Sequence, residues 1–299
     1  MPQSMTYHLK TLTPTSFQRA TTHPFLHLAG SGKIPKPLLS KWLSQDRLYA
    51  QSYVRFIGLL LAKINLPRTP SRTKTKTAQS GTGNENEKKG GDGDGDGDVN
   101  EKILAILIAA INNIQEELCF FEDVAAEYNL DLNKPFESSG PENENENENQ
   151  NQNQNERFGP SPITHAYIDM FMAAGSPGVS LLEGLVVLWA TEICYLGAWK
   201  WAAGFLGESL ESSLESEEEE EGTGDADGGA LRQKFIPNWS SEGFEGFVER
   251  IGGVLDEVAV IEVGVGSGDG EGLERCERWW RQVVWLEERF WPDVDGVGV

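Results

Sequence analysis

Histidine and cysteine are scarce in this chain, with 4 and 3 among 299 residues. No His-Glu-x-x-His, Cys-x-x-Cys or Glu-x-x-His spacing occurs. That argues against a zinc site, a redox dithiol and a di-iron bundle built on two such pairs. Cys119, Cys194 and Cys276 are far apart, odd in number and set in helical patterns, which reads as reduced thiols. Phosphate-binding and nucleophile motifs are missing too: there is no Gly-x-Gly-x-x-Gly in a βαβ unit, no Walker loop and no Gly-x-Ser-x-Gly. The Gly-Asp repeat from Gly91 to Asp98 lacks the ligand order of an EF-hand. No metal and no cofactor is expected.

Basic charge is also in short supply, 25 Lys and Arg against 47 Asp and Glu, for a net charge of −22. Nucleic-acid binding needs a basic surface and is not expected. Roughly twenty of the acids fall in three low-complexity tracts, so the charge says little about the rest of the chain. The segment from Met1 to His8 has no apolar core of signal-peptide length. The most apolar run, Ile103 to Ile111, is about nine residues, short of the ~20 of a membrane helix. A cytoplasmic protein, or one both cytoplasmic and nuclear, without a membrane partner is expected.

Helical periodicity dominates what remains. A first helix opens near Thr15 and stops before His23-Pro24, because proline disfavours helix in the residue before it. Trp42, Leu43, Asp46, Tyr49, Tyr53, Phe56, Leu60 and Leu61 recur at intervals of three and four, predicting a helix from Pro37 to about Ile64. Further helices are predicted over 101–128, 163–174, 181–205, 241–260 and 271–291. The one at 181–205 is apolar nearly all round and belongs at the centre of a bundle. Strand signals and fixed-period repeats are lacking, so the fold class is all-α. We read a single helical domain over 1–299, with ordered parts near 10–66, 101–136, 158–206 and 232–292. The tracts 67–100, 137–157 and 207–231 are expected to be disordered insertions, because their composition cannot offset the entropy of ordering.

Three helices carry acids among apolar neighbours. Asp46 shares a face with Trp42, Tyr49 and Tyr53, and the plainer alternative is a boundary Asp paired with Arg47 or another cation. Glu192 is the one acid between Gly184 and Gly207, on a face with Tyr195 and Trp199. A carboxylate buried there costs several kcal/mol unless it is paired, and its pKa should rise. The alternatives are a structural hydrogen bond to a neighbouring helix and a functional site. Glu287 falls on a stripe with Trp280, Val284 and Trp291, while Glu288 lies nearer solvent. Such a stripe suits a core as well as a ligand box.

Four segments together resemble the TenA/thiaminase II family: Phe17-x-x-Ala20-x-x-His23-Pro24-Phe25-Leu26 with Trp42-Leu43-x-Gln45-Asp46-x-x-Tyr49, then Glu117-Leu118-x-Phe120-Phe121, Ala166-Tyr167-Ile168-Asp169 and Leu286-Glu287-x-x-Phe290-Trp291. The resemblance implies a heme-oxygenase-like multi-helix bundle around one pocket that holds a small aminopyrimidine, in a family that hydrolyses thiamine breakdown products. It implies that Asp46 hydrogen-bonds the pyrimidine, with Tyr49 as its partner. It also makes Tyr167 the stacking ring and Glu287 an acid/base carboxylate. Glu192 is expected to be the second catalytic carboxylate, with Tyr195 contacting substrate. Cysteine-type members carry a nucleophile in the central helix, usually after proline. Here that helix reads Trp189-Ala190-Thr191-Glu192-Ile193-Cys194-Tyr195 and is similar to the branch that lacks the cysteine and has a glutamate nearby. Family members often assemble as homo-oligomers. A non-catalytic binding or regulatory protein of the same fold is the alternative.

Overall fold

The computed structural model describes residues 4–65, 94–135, 158–207, 224–264 and 270–295. Among them there are helices and no strand. In chain order these are α1 (Met5–Leu12), α2 (Pro14–Thr21), α3 (Pro24–Gly30), α4 (Lys36–Leu61), α5 (Asp94–Tyr128), α6 (Pro162–Gly175) and α7 (Leu181–Ala203). A π-helical turn, Leu231–Phe235, runs on into α8 (Ile236–Trp239), followed by α9 (Glu242–Glu262) and α10 (Gly270–Phe290). The all-α expectation holds.

Four helix starts are written in the sequence as serine. Ser4, Ser161 and Ser241 each accept the backbone N–H three residues on. Ser180 and Glu183 form a reciprocal capping box at the start of α7. Proline takes the first turn of α2, α3, α4 and α6, where its missing N–H costs nothing.

Helix α7 is the axis of the bundle. Its side chains from Leu182 to Thr191 are all buried, and α2, α3, α6, α8, α9 and α10 pack around it. Helix α4 packs mainly on α5 and α6. It runs antiparallel to α7 and meets it closely at one end, where a Cβ on Gly184 would stand 2.3 Å from Leu60 Cδ2. Towards the other end the two helices meet through long aromatic side chains, such as Trp42 and Trp199 with ring centroids 5.5 Å apart. That separation leaves room between them.

Three expectations need correction. The fold opens at Met5 rather than near residue 10, because Met5 and Leu9, one turn apart, are buried against the core. Helix α5 reaches back to Asp94, into the tract read as the first insertion. Residues 224–231 belong to the fold rather than to the third insertion. There the buried Asp227 accepts the N–H groups of Gly229 and Leu231, and Ala230 and Leu231 enter the core. The rest of the three tracts, 67–93, 137–157 and 208–223, lies outside the described residues. By length and composition alone, α7 and the Val99–Tyr128 part of α5 could each cross a membrane, which a count of contiguous apolar residues does not reveal. The apolar surface of α7 is largely consumed by the core, whereas α5 lies on the outside of the bundle.

Candidate functional site

The space between α4 and α7 is an acid-lined cavity of about 480 Å³, the size of a small-molecule site. Asp46, Tyr49, Ala50 and Tyr53 line it from α4, at the three-and-four spacing that puts them on one side of the helix. Thr191, Glu192 and Tyr195 face them from α7. Ala110, Ile114, Glu117 and Phe121 close one flank from α5, and Asn238, Trp239, Phe244 and Phe247 another from α8 and α9.

Besides the exposed Glu116, three carboxyl groups stand on the wall, one from each of three helices: Asp46, Glu117 and Glu192. Each is held by a neutral aromatic donor from another helix. The Tyr195 hydroxyl donates to Asp46 Oδ2 at 3.0 Å. The Tyr53 hydroxyl donates to Glu192 Oε1 at 2.5 Å. Trp239 Nε1–H donates to Glu117 Oε1 at 2.9 Å. Such donors fix the carboxyls in place but bring no positive charge. Burial therefore dominates and pushes Asp46 and Glu192 each up to about 7, with the tyrosine hydrogen bonds pulling the other way. Glu117 is held well above the ordinary range by burial, then by the charges of Asp46 and Glu192. Glu117 and Glu192 are half-buried, and both line the cavity. Among the described residues the only basic side chain on the wall is Arg250, which is exposed and packs over the Phe247 ring at 5.9 Å.

The alternatives left open at Asp46 and Glu192 now resolve geometrically. Arg47 turns away and donates to Leu132 O and Asn133 Oδ1, so Asp46 has no ion pair with it. Glu192 does bond to a neighbouring helix, through Tyr53, and still lines the cavity. Of the six expected site residues, Asp46, Tyr49, Glu192 and Tyr195 share the wall. Glu287 and Tyr167 do not. Both are buried, at 4% and 0% exposure. Tyr49, which lines the cavity, packs its ring edge-on to Tyr167 with centroids 5.1 Å apart. Burial pushes the Glu287 carboxyl up to about 8; the Tyr167 hydroxyl opposes this, and Asp46 and Glu192 add to it. The Tyr167 hydroxyl approaches Glu287 without reaching the geometry of a well-formed hydrogen bond. Cys194 is buried, off the cavity wall and near Glu287, and its thiol is pushed up by burial first and Glu287 second. Among the described residues no group of three His, Cys, Asp or Glu could hold a metal ion.

Sequence reasoning missed Glu117, Tyr53 and Trp239 as site residues. Glu117 had a usable signal, since Ala110, Ile114, Glu117 and Phe121 follow four-three-four spacing on the buried side of α5. Trp239 had none, because its position depends on the π-helical turn before α8.

No protein-family model matches the chain. A probable transcription factor of Fusarium pseudograminearum is 28% identical over 313 residues, covering 99% of this chain. The chain spans about half the length, 53%, of that curated relative. Solved structures are also similar. A TenA homologue from Pyrococcus furiosus has a TM-score of 0.61 at 22% identity, covering 96% of this chain and 98% of its own. A TenA homologue from Pyrococcus horikoshii has 0.59 at 15%, covering 96% of each chain. A TenA family transcription regulator from Silicibacter has 0.62 at 14%, covering 97% and 96%. The chain has the all-α fold of these TenA homologues.

Proposed function

We propose that the cavity binds a small aminopyrimidine and that the protein hydrolyses it, as a member of the TenA/thiaminase II family of the type without a cysteine nucleophile. The observation that carries this reading is the trio of carboxyls on an aromatic wall, with no buried cation beside them among the described residues. Such a wall favours a flat ligand rich in N–H donors, with Asp46 accepting from the ring amino group and Tyr49 and Tyr195 packing against the ring. Replacing an amine on the ligand by water needs a base for the water and a proton for the departing nitrogen. Glu192, on the wall and poised at about 7, takes the water proton. As water adds and the C–N bond breaks, Glu192 passes that proton to the departing nitrogen, which leaves as ammonia; Glu287 keeps its own proton to about 8. Tyr49 lines the cavity and is coupled to both carboxyls, so we assign Glu287 a role exercised through the tyrosines. Cys194 faces away from the ligand space and is held as the thiol, which supports a mechanism without it.

The test is ammonia release from aminopyrimidines by the full chain, with Glu192→Gln as the control. Turnover lost in the variant supports the reading, and full turnover in the variant overturns the site assignment. A second reading, a ligand-binding regulator, is favoured by the names of the Fusarium and Silicibacter proteins. It predicts binding without turnover.

A further inference from the structure

The run from Ile103 to Ile111 in α5 holds no polar residue, yet one side of it faces the core and the other does not. Helix α5 packs chiefly on α4 and α9, and Ile103, Ile106, Leu107 and Ala110 are buried. On the outer side Leu104 and Ile111 are half-buried, and Ala105 and Ile108 are exposed, Ile108 at 48%. The outer face of a solvated helix is ordinarily polar, and an apolar one marks an interaction surface. Intervals of three and four trace one stripe along this face: Glu101, Leu104, Ile108, Ile111, Gln115, Cys119 and Glu122. The stripe begins and ends on an exposed acid, and everything between is uncharged. Asp123 stands exposed beside its far end. Lys102 is the one basic residue in α5, and it is turned to Glu257 on α9 at 2.8 Å.

This charge pattern decides between occupants. Two copies of the chain paired along the stripe set acid against acid at its ends, whether they run parallel or antiparallel, and like charges in an interface disfavour it. An anionic membrane surface is repelled by the same acids. We propose that the outer face of α5 docks an amphipathic helix of another protein, one that lays apolar side chains on Leu104, Ile108 and Ile111 and sets lysine or arginine against Glu101 at one end and Glu122 and Asp123 at the other. Such recognition gains affinity from the apolar turns and register from the charged ends. The net charge of −22 steers a basic partner towards the chain. This surface is independent of the chemistry proposed for the cavity.

Fluorescence anisotropy of a labelled synthetic peptide, titrated with the full chain, tests this. The probe has about 22 residues, enough to span the stripe as a helix, with leucines at intervals of three and four in its middle and lysines at both ends. A control peptide carries glutamates in place of the lysines. The lysine peptide is expected to bind with a dissociation constant on the order of 10 μM, as suits a small interface. Ile108→Glu is expected to weaken it at least about tenfold, or about 1.4 kcal/mol, with the circular dichroism signal and melting temperature preserved. That substitution adds a negative charge, so a peptide held by acidity alone would bind the variant as well or better, and this result overturns the proposal. Equal binding of the glutamate peptide, or no binding of the lysine peptide at millimolar concentration, overturns it too. Should Ile108→Glu fail to fold, Ile108→Ser carries the same expectation of weaker binding. Two further outcomes give the face to a rival. Wild-type self-association in sedimentation that Ile108→Glu abolishes would assign it to a second copy. Flotation with anionic vesicles that Ile108→Glu abolishes would assign it to a membrane.

Discussion

Replacing Glu287 by glutamine should stabilise this protein in mild alkali and leave it nearly unchanged in mild acid. Glu287 is 4% exposed, and burial raises its carboxyl from the ordinary 4.5 to about 8. The folded state therefore holds the proton more tightly than the unfolded chain does. Below the unfolded value both states are protonated and nothing is lost. As pH rises through that value towards about 8, the unfolded chain ionises first and folding loses stability. At about 1.4 kcal/mol per pH unit, the penalty is on the order of 1 kcal/mol at about pH 5 and on the order of 4 kcal/mol at about pH 8. Glutamine cannot ionise and keeps an oxygen for Tyr167. Denaturant titrations of both proteins at these two pH values read the difference directly. The variant should gain roughly 3 kcal/mol on the wild type between them. Wild-type stability should fall further for its own reasons, since Asp46 and Glu192 are also raised; the difference between the two proteins isolates Glu287. Parallel pH profiles, or a variant that loses ground as pH rises, would show that this carboxyl is not the buried group described here.

Glu192→Gln and Glu287→Gln should each abolish ammonia release while preserving the helical circular dichroism signal; full activity in both would remove the proposed acid/base pair. Cys194→Ser should change turnover by less than about tenfold, since a buried thiol held above its ordinary range is a poor nucleophile; a thousandfold loss would restore a cysteine mechanism. Gly30→Ala should cost on the order of 1–3 kcal/mol in denaturant unfolding, because the new Cβ would meet Ala202 O at 2.1 Å and Phe205 Cβ at 2.8 Å. A variant as stable as the wild type would mean that α3 and α7 are not packed as closely as they stand here.

The helices were legible where periodicity was long. Helix α4 carries its core face over the whole of Lys36–Leu61, and α7 was identifiable as central because no face of it is polar. Short elements were not. Helices α1 and α3 have 8 and 7 residues, too few to establish a period, and only the Ser4 cap and the Met5–Leu9 spacing hint at the first. The acids divide the same way. Asp46 and Glu192 were found because an isolated carboxylate on an apolar face is conspicuous. Glu117 sits in the run Gln115-Glu116-Glu117, which reads as a solvated face until its alignment with Ile114 and Phe121 is followed. Glu287 was placed on a stripe with Trp280 and Trp291, and all three are buried, but periodicity gives the face of a helix and not what lies across from it. That Glu287 lies off the cavity wall depends on how α4, α6 and α10 pack, which no single stretch of sequence records.

Ligand-induced stabilisation of the full chain tests the central claim most directly, that three carboxyls on an aromatic wall form a receptor for a small aminopyrimidine. With ligand at about 100 times its dissociation constant, unfolding free energy should rise by about 2.7 kcal/mol, and Asp46→Asn should lose most of that gain. An unchanged melting profile for the wild type at millimolar ligand would contradict the account.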